Sequence, residues 1–364
     1  MRRVPVAAGA VIASLVVAGL VYAFMASATV VDGNGPISAA GSDQPSTVDS
    51  GRAAMSTASA SPTVSASTPA RRATTKLLFG IGTEATSAET TRLVKQSPAR
   101  MLTSWYNGPG DLSWMTGWRT GTVPRAYAGG YAMHLVVYSN SPEGTVNTSY
   151  GAACGRAYPL SDRFLDDMRA LARTFAGSAG GPPLYVTLFT ELQTYACTDN
   201  AWNPDAGTSA YYRALKDRYL ATMAIFHAEA ANAKVSLGWG GWQTRWDDPA
   251  IGGGRSMFGH FADVMRASDF ESFQAMQTDT NVTDVLNMTR TLGAYGPVML
   301  AHYKPDNGSQ SVFEADTRTM LTDRYLAKLV AAGLFAWSFM DERNLSASAT
   351  TYDRIVSAVR RHGR

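Results

Sequence analysis

Acidic side chains stand directly after several uncharged, β-rich runs of this 364-residue chain. These side chains are Glu84, Glu191, Asp247, Asp248, Asp341 and Glu342. Glu191 ends the run LYVTLFTE at residues 184–191, whose other residues carry no charge. That apolar approach, with Tyr195 close by in sequence, favours the protonated form of a carboxyl group and therefore a general acid. Asp341 is the first choice for a second, ionised carboxylate, ahead of the others.

Each of these carboxylates also has a structural interpretation. Glu191 would serve as a helix N-cap or form an ion pair with an arginine such as Arg245. The other acidic residues at the ends of runs are individually more typical of caps and surface positions than of catalysts. Glu271 comes early in its run and is interpreted as a buried structural residue.

The eight tryptophans of the chain lie at the ends of β-rich runs or in the segments after them, and none lies in a predicted outer helix. Aromatic rings stack on the C–H face of a sugar while neighbouring polar groups bind its hydroxyls. The predicted substrate contacts are therefore Glu84, Trp105, Tyr106, Trp114, Tyr138, Tyr195, Trp239, Trp242, Gln274, His302, Tyr303 and Trp337. Packing of the rings in the top of a barrel is an open alternative for Trp239 and Trp337. Four rings are predicted to lie on loops and face the ligand, namely Trp114 and three not listed above, Trp118, Trp202 and Trp246.

Eight apolar runs alternate with helical patterns from residue 76 onward, an order that predicts a parallel sheet with helices outside. The runs are residues 77–82, 100–106, 131–138, 184–191, 234–242, 269–276, 297–304 and 333–340. Eight such units in about 290 residues predict an α/β fold of the (β/α)8 TIM-barrel class, in which the carboxyl ends of the strands carry the chemistry. A doubly wound sheet is disfavoured because GIGTEA at 80–85 lacks the third glycine of a phosphate-binding turn.

Helix signals mark the segments between the runs. Ser161 is predicted to cap a helix, because apolar residues recur behind it at helical spacing. A longer amphipathic helix is predicted at about 210–231. Gly333 is predicted to end another helix in the left-handed conformation that glycine adopts without strain.

Three of the strand endings resemble those of clan A glycoside hydrolases and, more loosely, family 26 among them. They are SWYNG at 104–108, FTE at 189–191 and FAWSFMD at 335–341, within a resemblance of overall fold that covers 76–361. The resemblance implies an acid/base role for Glu191. The chain departs from the family pattern at Thr190, where the family has Asn.

The larger departure is at strand seven, which ends in AHYK at 301–304 where the family carries a glutamate nucleophile. Either another strand supplies the second carboxylate, with an inverting geometry, or the site binds glycans without cutting them. His302, Tyr303 and Lys304 would then orient sugar hydroxyls or hold a charged sugar group. The alternative for His302 is a core histidine bonded to backbone.

The amino-terminal part of the chain is predicted to lie outside the barrel. Residues 1–31 carry Arg2 and Arg3 before a long uncharged run, which predicts a membrane-spanning signal anchor or a cleaved signal peptide. Residues 32–75 are rich in Ser, Thr, Ala and Pro, which predicts a disordered linker, and 76–364 form the barrel. Cys154 and Cys197 are predicted to pair if the protein is exported; two unrelated thiols are the alternative.

These features predict an exported glycoside hydrolase that acts on a cell-surface or environmental polysaccharide, at the membrane or secreted. A formal net charge of +3 argues against a nucleic-acid partner. The five histidines form no H-x-H or H-E-x-x-H motif, so no metal site is predicted, and no cofactor is expected. The competing interpretations are a glycan-binding barrel that has lost catalysis and a wall-anchoring structural protein.

Overall fold

Eight parallel strands close into a barrel in the computed structural model, which describes residues 76–82, 84–197, 204–247, 256–305 and 309–364. The barrel strands are β1 (Leu78–Ile81), β2 (Met101–Tyr106), β3 (Ala132–Val137), β6 (Leu184–Leu188), β7 (Ala233–Gly240), β8 (Glu271–Ala275), β9 (Val298–Tyr303) and β10 (Leu334–Phe339). They follow one another around the barrel in that order, and β10 pairs with β1. Seven of the predicted runs contain one of these strands, and the run 234–242 overlaps all of β7 except its first residue, so the predicted barrel is confirmed.

Helices fill the connections between the strands. They are α1 (Ala85–Ala88), α2 (Arg92–Gln96), α3 (Pro109–Met115), α4 (Thr122–Ala128), α5 (Asp162–Phe175), α6 (Ala206–Glu229), α7 (Gln243–Trp246), α8 (Phe258–Ala267), α9 (Asn281–Leu292), α10 (Gln310–Met320), α11 (Asp323–Ala331), α12 (Glu342–Ser346) and α13 (Ala349–His362). The Ser161 hydroxyl accepts the Phe164 N–H and caps α5, as predicted. Gly333 follows α11 with φ +109°, the predicted left-handed end.

The inside of the barrel is apolar at one end and polar towards the other. Alternation along β2 places Met101, Thr103 and Trp105 on the inner face. Met101 belongs to an apolar cluster, whereas Thr103 lies in a belt of hydrogen-bonded side chains further along the strands. In that belt His134 contacts the hydroxyls of Thr103 (3.3 Å) and Thr187 (3.0 Å), and burial lowers its pKa to about 3. The imidazole is therefore neutral.

A hairpin that the sequence analysis did not predict follows β3. Its strands, β4 (Glu143–Thr148) and β5 (Gly151–Arg156), pair antiparallel outside the barrel. Cys154 of β5 forms a disulfide with Cys197, with 5.3 Å between the two Cα atoms, which confirms the predicted pair. The bridge fixes the hairpin to the segment that follows Glu191.

The predicted signal segment at 1–31 and the predicted linker at 32–75 lie outside the described residues, as do Trp202 and Asp248. Of the helices that are described, none is long and apolar enough to cross a membrane.

Candidate functional site

Glu191 lies just beyond the carboxyl end of β6, in a backbone conformation that is unusual for its residue type. Its φ is +61° and that of Phe189 is +54°, and they are the two non-glycine residues with positive φ in the described part of the chain. Left-handed backbone at such residues stores strain of about 1–3 kcal/mol each and is found most often at active sites. The strained turn therefore marks this strand end as a candidate site.

Contacts with β7 hold the turn in place. The Gln193 side chain forms two hydrogen bonds to the backbone of Gly240: its amide donates to the carbonyl (3.1 Å) and its oxygen accepts the N–H (3.0 Å). Gly238 has no side chain where Thr190 crosses it, and a Cβ there would lie 2.8 Å from the Thr190 Cα. Gln193 and Gly238 were not predicted from the sequence as residues of the site, because neither belongs to a recognisable motif.

Four buried polar groups at the same end of the barrel have no hydrogen-bond partner among the described residues. They are the Trp105 indole N–H, the Thr190 hydroxyl, the Gln274 side-chain amide and Nδ1 of His302. Trp105 and Gln274 lie on the inner faces of β2 and β8. Buried polar groups are almost always paired in folded proteins, so a group of unpaired ones is typical of a place where a ligand or water completes the bonding.

A bulge in β9 brings His302 to this group. The register of β9 against β8 shifts just before His302, which turns its side chain into the barrel, where its ring lies 4.4 Å from the Trp105 ring. Burial lowers the pKa of His302 well below its ordinary value, helped by the charge of Lys304. The imidazole is therefore neutral and offers one nitrogen to a ligand while the other lies 3.2 Å from the Met276 sulfur. The alternative of a histidine bonded to backbone is wrong.

The predicted residues Tyr138 and Tyr195 lie beside Glu191 and enclose a cation that the sequence analysis did not identify. Their ring centroids are 6.2 Å apart, and the Arg156 guanidinium lies 5.3 Å from the Tyr138 ring and 4.5 Å from the Tyr195 ring. Burial raises the pKa of Tyr195 well above its ordinary value, so its phenol stays neutral. Arg156 ends the hairpin that lies 35 residues before Glu191 in sequence, and nothing in the sequence connects the two.

Asp341 lies at the end of β10 and its carboxylate is already partly used. Its Oδ1 accepts the N–H of Asn344 at 2.9 Å and caps α12, while Oδ2 has no hydrogen-bond partner in the described structure. An open pocket of about 420 Å³ adjoins Asp341, between α1, α2 and the start of α12. In the order of strands around the barrel, β10 lies opposite β6, so Asp341 and Glu191 lie across the mouth from each other.

The other carboxylates at the ends of strands have structural surroundings. Glu84 is exposed at the start of α1. Asp247 accepts hydrogen bonds from Gln243 (2.8 Å) and from the backbone of Met257 (3.1 Å), which close a loop. Glu342 accepts bonds from the Arg92 N–H and the Tyr352 hydroxyl, both at 3.1 Å. Of these carboxylates and Asp341, only Glu342 and Asp341 follow β10, the strand that lies opposite β6, and Glu342 is held by its bonds to α2 and α13, which leaves Asp341 as the candidate across the mouth.

Four of the predicted sugar contacts instead pack between the barrel and its helices. Trp239 lies 4.6 Å from the Phe258 ring of α8, and Tyr303 stacks on Phe313 of α10 at 5.5 Å. Trp337 and Tyr106 are likewise enclosed on the helix-facing side, where the Tyr106 hydroxyl donates to Asp167. This placement corrects the prediction, because side chains on the outer face of a barrel strand do not reach the mouth.

The remaining predicted rings have different surroundings: Trp242 lies at the rim, whereas Trp114 and Trp118 lie on the segment after β2 that packs against α5. Trp242 is half-buried against Gly240, next to the backbone that holds the Glu191 turn. Trp114 is 40% exposed on α3 and contacts Trp118 at 5.1 Å. Trp118 itself is buried against Phe175 of α5, so of that pair only Trp114 is available to a ligand.

Arg245, suggested as an ion-pair partner of Glu191, lies 3.2 Å from Asp284 instead. No group of His, Cys, Asp and Glu side chains in the described residues is arranged to hold a metal ion.

Comparison with known proteins gives a likeness of architecture alone. No protein-family profile matches the sequence, and no curated protein is similar to it. Similar solved structures include clan A glycoside hydrolases, as the sequence predicted at the level of the clan. The Ignisphaera aggregans GH53 catalytic domain is 12% identical and is matched over 75% of this chain and 86% of that one, with a TM-score of 0.45.

A thermostable mutant of the xylanase Xyn10A from Cellvibrio japonicus is 11% identical over 78% of this chain and 97% of that one, with a TM-score of 0.46. The β-1,4-mannanase of the sea hare Aplysia kurodai is 10% identical over 74% and 82%, with a TM-score of 0.43. Overlaps of this size say nothing about the substrate or the catalytic residues of this chain.

Proposed function

We propose that this protein is a glycoside hydrolase that cleaves a polysaccharide at the mouth of the barrel, with Glu191 as general acid. The observation that carries the proposal is the position of Glu191. It lies in a strained turn at the strand end, beside unpaired polar groups on the inner face of the barrel. A hydroxyl-rich ligand satisfies such groups, because each sugar hydroxyl both donates and accepts a hydrogen bond.

The unpaired groups are complementary to a sugar in kind as well as in number. The Trp105 indole donates, the Gln274 amide both donates and accepts, and the neutral His302 offers Nδ1. Sugar hydroxyls bound here would place a glycosidic oxygen near the Glu191 turn. The half-buried carboxyl of Glu191 would then protonate that oxygen as the bond breaks.

We assign the second carboxylate to Asp341, which gives an inverting mechanism. Eight strands about 4.8 Å apart and tilted by about 36° make a barrel roughly 15 Å across between backbones. Two carboxylate side chains that extend inward from opposite strands would leave about 7 Å between them, within the range for inversion and beyond the roughly 5 Å of retaining enzymes. Asp341 Oδ2 would activate the attacking water, while Oδ1 remains bound to the start of α12.

The test is release of reducing ends by the full-length protein from a panel of neutral and acidic polysaccharides. Glu191→Gln is expected to lower the rate by at least about 100-fold, the usual contribution of a general acid, while binding is retained. Asp341→Asn is expected to have a similar effect, and NMR of the first product is expected to show inverted anomeric configuration. Asp166→Asn, an exposed change on α5, is the matched control.

A second candidate, a glycan-binding barrel without catalysis, is favoured by one observation. The strand-seven end, where the clan resemblance implies a nucleophile, bears His302, Tyr303 and Lys304, and the remaining carboxylate caps a helix. If no polysaccharide releases reducing ends while glycan binding persists and depends on Trp105, this second function replaces the first.

We also propose that the protein is exported and stays at the cell membrane or is secreted. The disulfide between Cys154 and Cys197 supports this, because such bonds persist mainly in oxidising compartments. Cell fractionation combined with amino-terminal sequencing of the mature protein tests it. A retained Met1 in the membrane fraction indicates a signal anchor, whereas a new terminus near residue 29 in the medium indicates a cleaved signal. Protein confined to the cytoplasm with reduced cysteines contradicts the proposal.

A further inference from the structure

Arg156 is a buried cation that forms no salt bridge with the described residues, although the charge of the exposed Glu143, opposite it in the hairpin, acts on it at longer range. Its side chain is 8% exposed, and no carboxylate of the described residues lies within salt-bridge distance of it. One terminal nitrogen donates to the Ser139 carbonyl, and Nε has no hydrogen-bond partner in the described residues. The two tyrosine rings on either side contribute cation–π attraction. By contrast, the half-buried Arg245 lies 3.2 Å from the Asp284 carboxylate.

Such a charge is costly in the folded protein. A buried ion gives up its hydration, and two neutral rings, the Tyr138 hydroxyl and a single carbonyl replace only part of it. An anion bound against the guanidinium would supply the missing interaction. The planar fork of an arginine suits carboxylate and sulfate groups in particular, because two N–H donors point to two oxygens in parallel.

The backbone holds Arg156 next to the proposed catalytic turn. Its N–H donates to the Tyr195 carbonyl at 3.1 Å, four residues after Glu191. The bridge from Cys154 to Cys197 fixes the same two segments on either side of that bond. The guanidinium is therefore held at a set place beside the Glu191 turn.

A second unpaired cation lies on another side of the mouth. Lys304 follows β9, is half-buried, and has no carboxylate within salt-bridge distance among the described residues. It lies close enough to His302 for its charge to act on that ring. Positive charge thus stands where the clan resemblance implies a carboxylate.

We infer that the natural substrate is an acidic glycan, whose carboxylate or sulfate group binds Arg156 while Lys304 contributes to the same recognition. This inference rests on the proposed function only in placing the glycan at the barrel mouth. Arg156 is a specificity-determining residue in this account and takes no part in bond cleavage.

The test compares matched probes in a background that does not hydrolyse them. Full-length Glu191→Gln protein is titrated with a uronic-acid oligosaccharide and its carboxyl-reduced counterpart, and with a sulfated oligosaccharide and its desulfated counterpart. The acidic member of at least one pair is expected to bind tenfold or more tightly, and the pair that shows this identifies the charged group. Adding Arg156→Gln is expected to weaken that binding by about 10- to 100-fold, the range for hydrogen bonds to charged groups, and to leave the neutral counterpart unchanged.

Two further variants separate recognition from folding. Arg213→Gln removes an exposed arginine that lies over the Tyr150 ring by the same hairpin and is expected to change nothing. Arg156→Lys keeps the charge and is expected to retain part of the preference, which tests the inference even if Arg156→Gln does not fold. Thermal unfolding of each variant is measured alongside.

Three results would overturn the inference: equal binding of acidic and neutral probes, no binding of either acidic probe, or equal weakening of both members of a pair by Arg156→Gln. The last result would show that Arg156 stabilises the hairpin and does not recognise the acidic group. Preference for acidic probes through Arg156 without any release of reducing ends by the wild type would refute the hydrolase and keep this inference.

Discussion

Replacement of the buried Glu271 by glutamine is expected to stabilise the barrel by an amount that grows with pH. Glu271 is 0% exposed on the helix-facing side of β8, and neither carboxylate oxygen has a hydrogen-bond partner in the described structure. The burial of Glu271 was predicted from its early position in the run 269–276. Burial raises the pKa of this carboxyl from 4.5 to about 9. The folded protein therefore holds a proton at pH 7 that the unfolded chain releases.

The size of the effect follows from the two pKa values. Holding the proton at pH 7 against an unfolded pKa of 4.5 costs about 3 kcal/mol, at 1.36 kcal/mol for each unit. Because the folded state binds the extra proton, stability falls as pH rises from about 4.5 to 9, by up to about 1.4 kcal/mol per pH unit. Glutamine leaves a polar group in the same place but carries no proton to lose, so about 3 kcal/mol is the upper limit of the gain at pH 7.

Urea unfolding followed by tryptophan fluorescence measures the difference between wild type and Glu271→Gln at pH 5, 6, 7 and 8. The free energy of unfolding of the variant is expected to exceed that of the wild type by an amount that is small at pH 5 and increases at each step. Asp166→Asn removes the same charge from an exposed site on α5 and is expected to follow the wild type throughout. A difference that stays constant with pH would show that Glu271 does not change its protonation on folding, and would refute the reasoning.

Three other changes test how the Glu191 turn is held. Gly238→Ala would place a Cβ 2.8 Å from the Thr190 Cα. It is expected to lower the unfolding free energy by about 1–3 kcal/mol and to lower kcat. The control is Gly110→Ala, where a Cβ meets nothing within 4 Å, and equal melting temperatures for the two variants would contradict the argument. Gln193→Ala removes both bonds to β7 and is expected to lower kcat more than it raises KM, so an unchanged kcat would count against it. Cys154→Ala opens the disulfide and is expected to lower the unfolding free energy by about 2–4 kcal/mol in chemical denaturation; a loss below 0.5 kcal/mol would contradict that expectation.

The barrel was predictable from the sequence because its strands are covered on both faces. A strand between a packed interior and a helix layer is buried along its whole length and is therefore almost free of charged residues, and a run such as 184–191 ends at its first charged residue, Glu191. The caps at Ser161 and Gly333 were predictable for a similar reason, since they depend on local backbone chemistry. The carboxyl ends of barrel strands lie at the mouth. Because Glu191 ends the run 184–191, its place at the mouth could be predicted.

The direction of a side chain was harder to predict, because both faces of these strands are buried. Trp105 and Trp239 each lie near the end of a strand, yet Trp105 points into the barrel and Trp239 towards α8. One residue of register decides between the two faces. The bulge in β9 adds a further shift, which turns His302 inward and Tyr303 outward.

Contacts between segments that are far apart in the chain could not be predicted from the sequence. Arg156 meets Tyr195 only because the hairpin packs against α6 beside the segment that follows Glu191, and short polar strands such as β4 carry no continuous apolar signal. Gln193 and Gly238 look like ordinary residues until the neighbouring strand is known. The strained conformation of Glu191 is likewise set by tertiary packing and not by its residue type.

The most direct test of the central claim is a crystal structure of the Glu191→Gln variant with an oligosaccharide bound. The distance that matters joins the side chain at position 191 to the nearest glycosidic oxygen. The account predicts about 3 Å, a hydrogen bond, with sugar hydroxyls bound to the Trp105 indole and the Gln274 amide. An oligosaccharide bound away from the barrel mouth, or one whose glycosidic oxygens all lie beyond hydrogen-bond reach of that side chain, would contradict it.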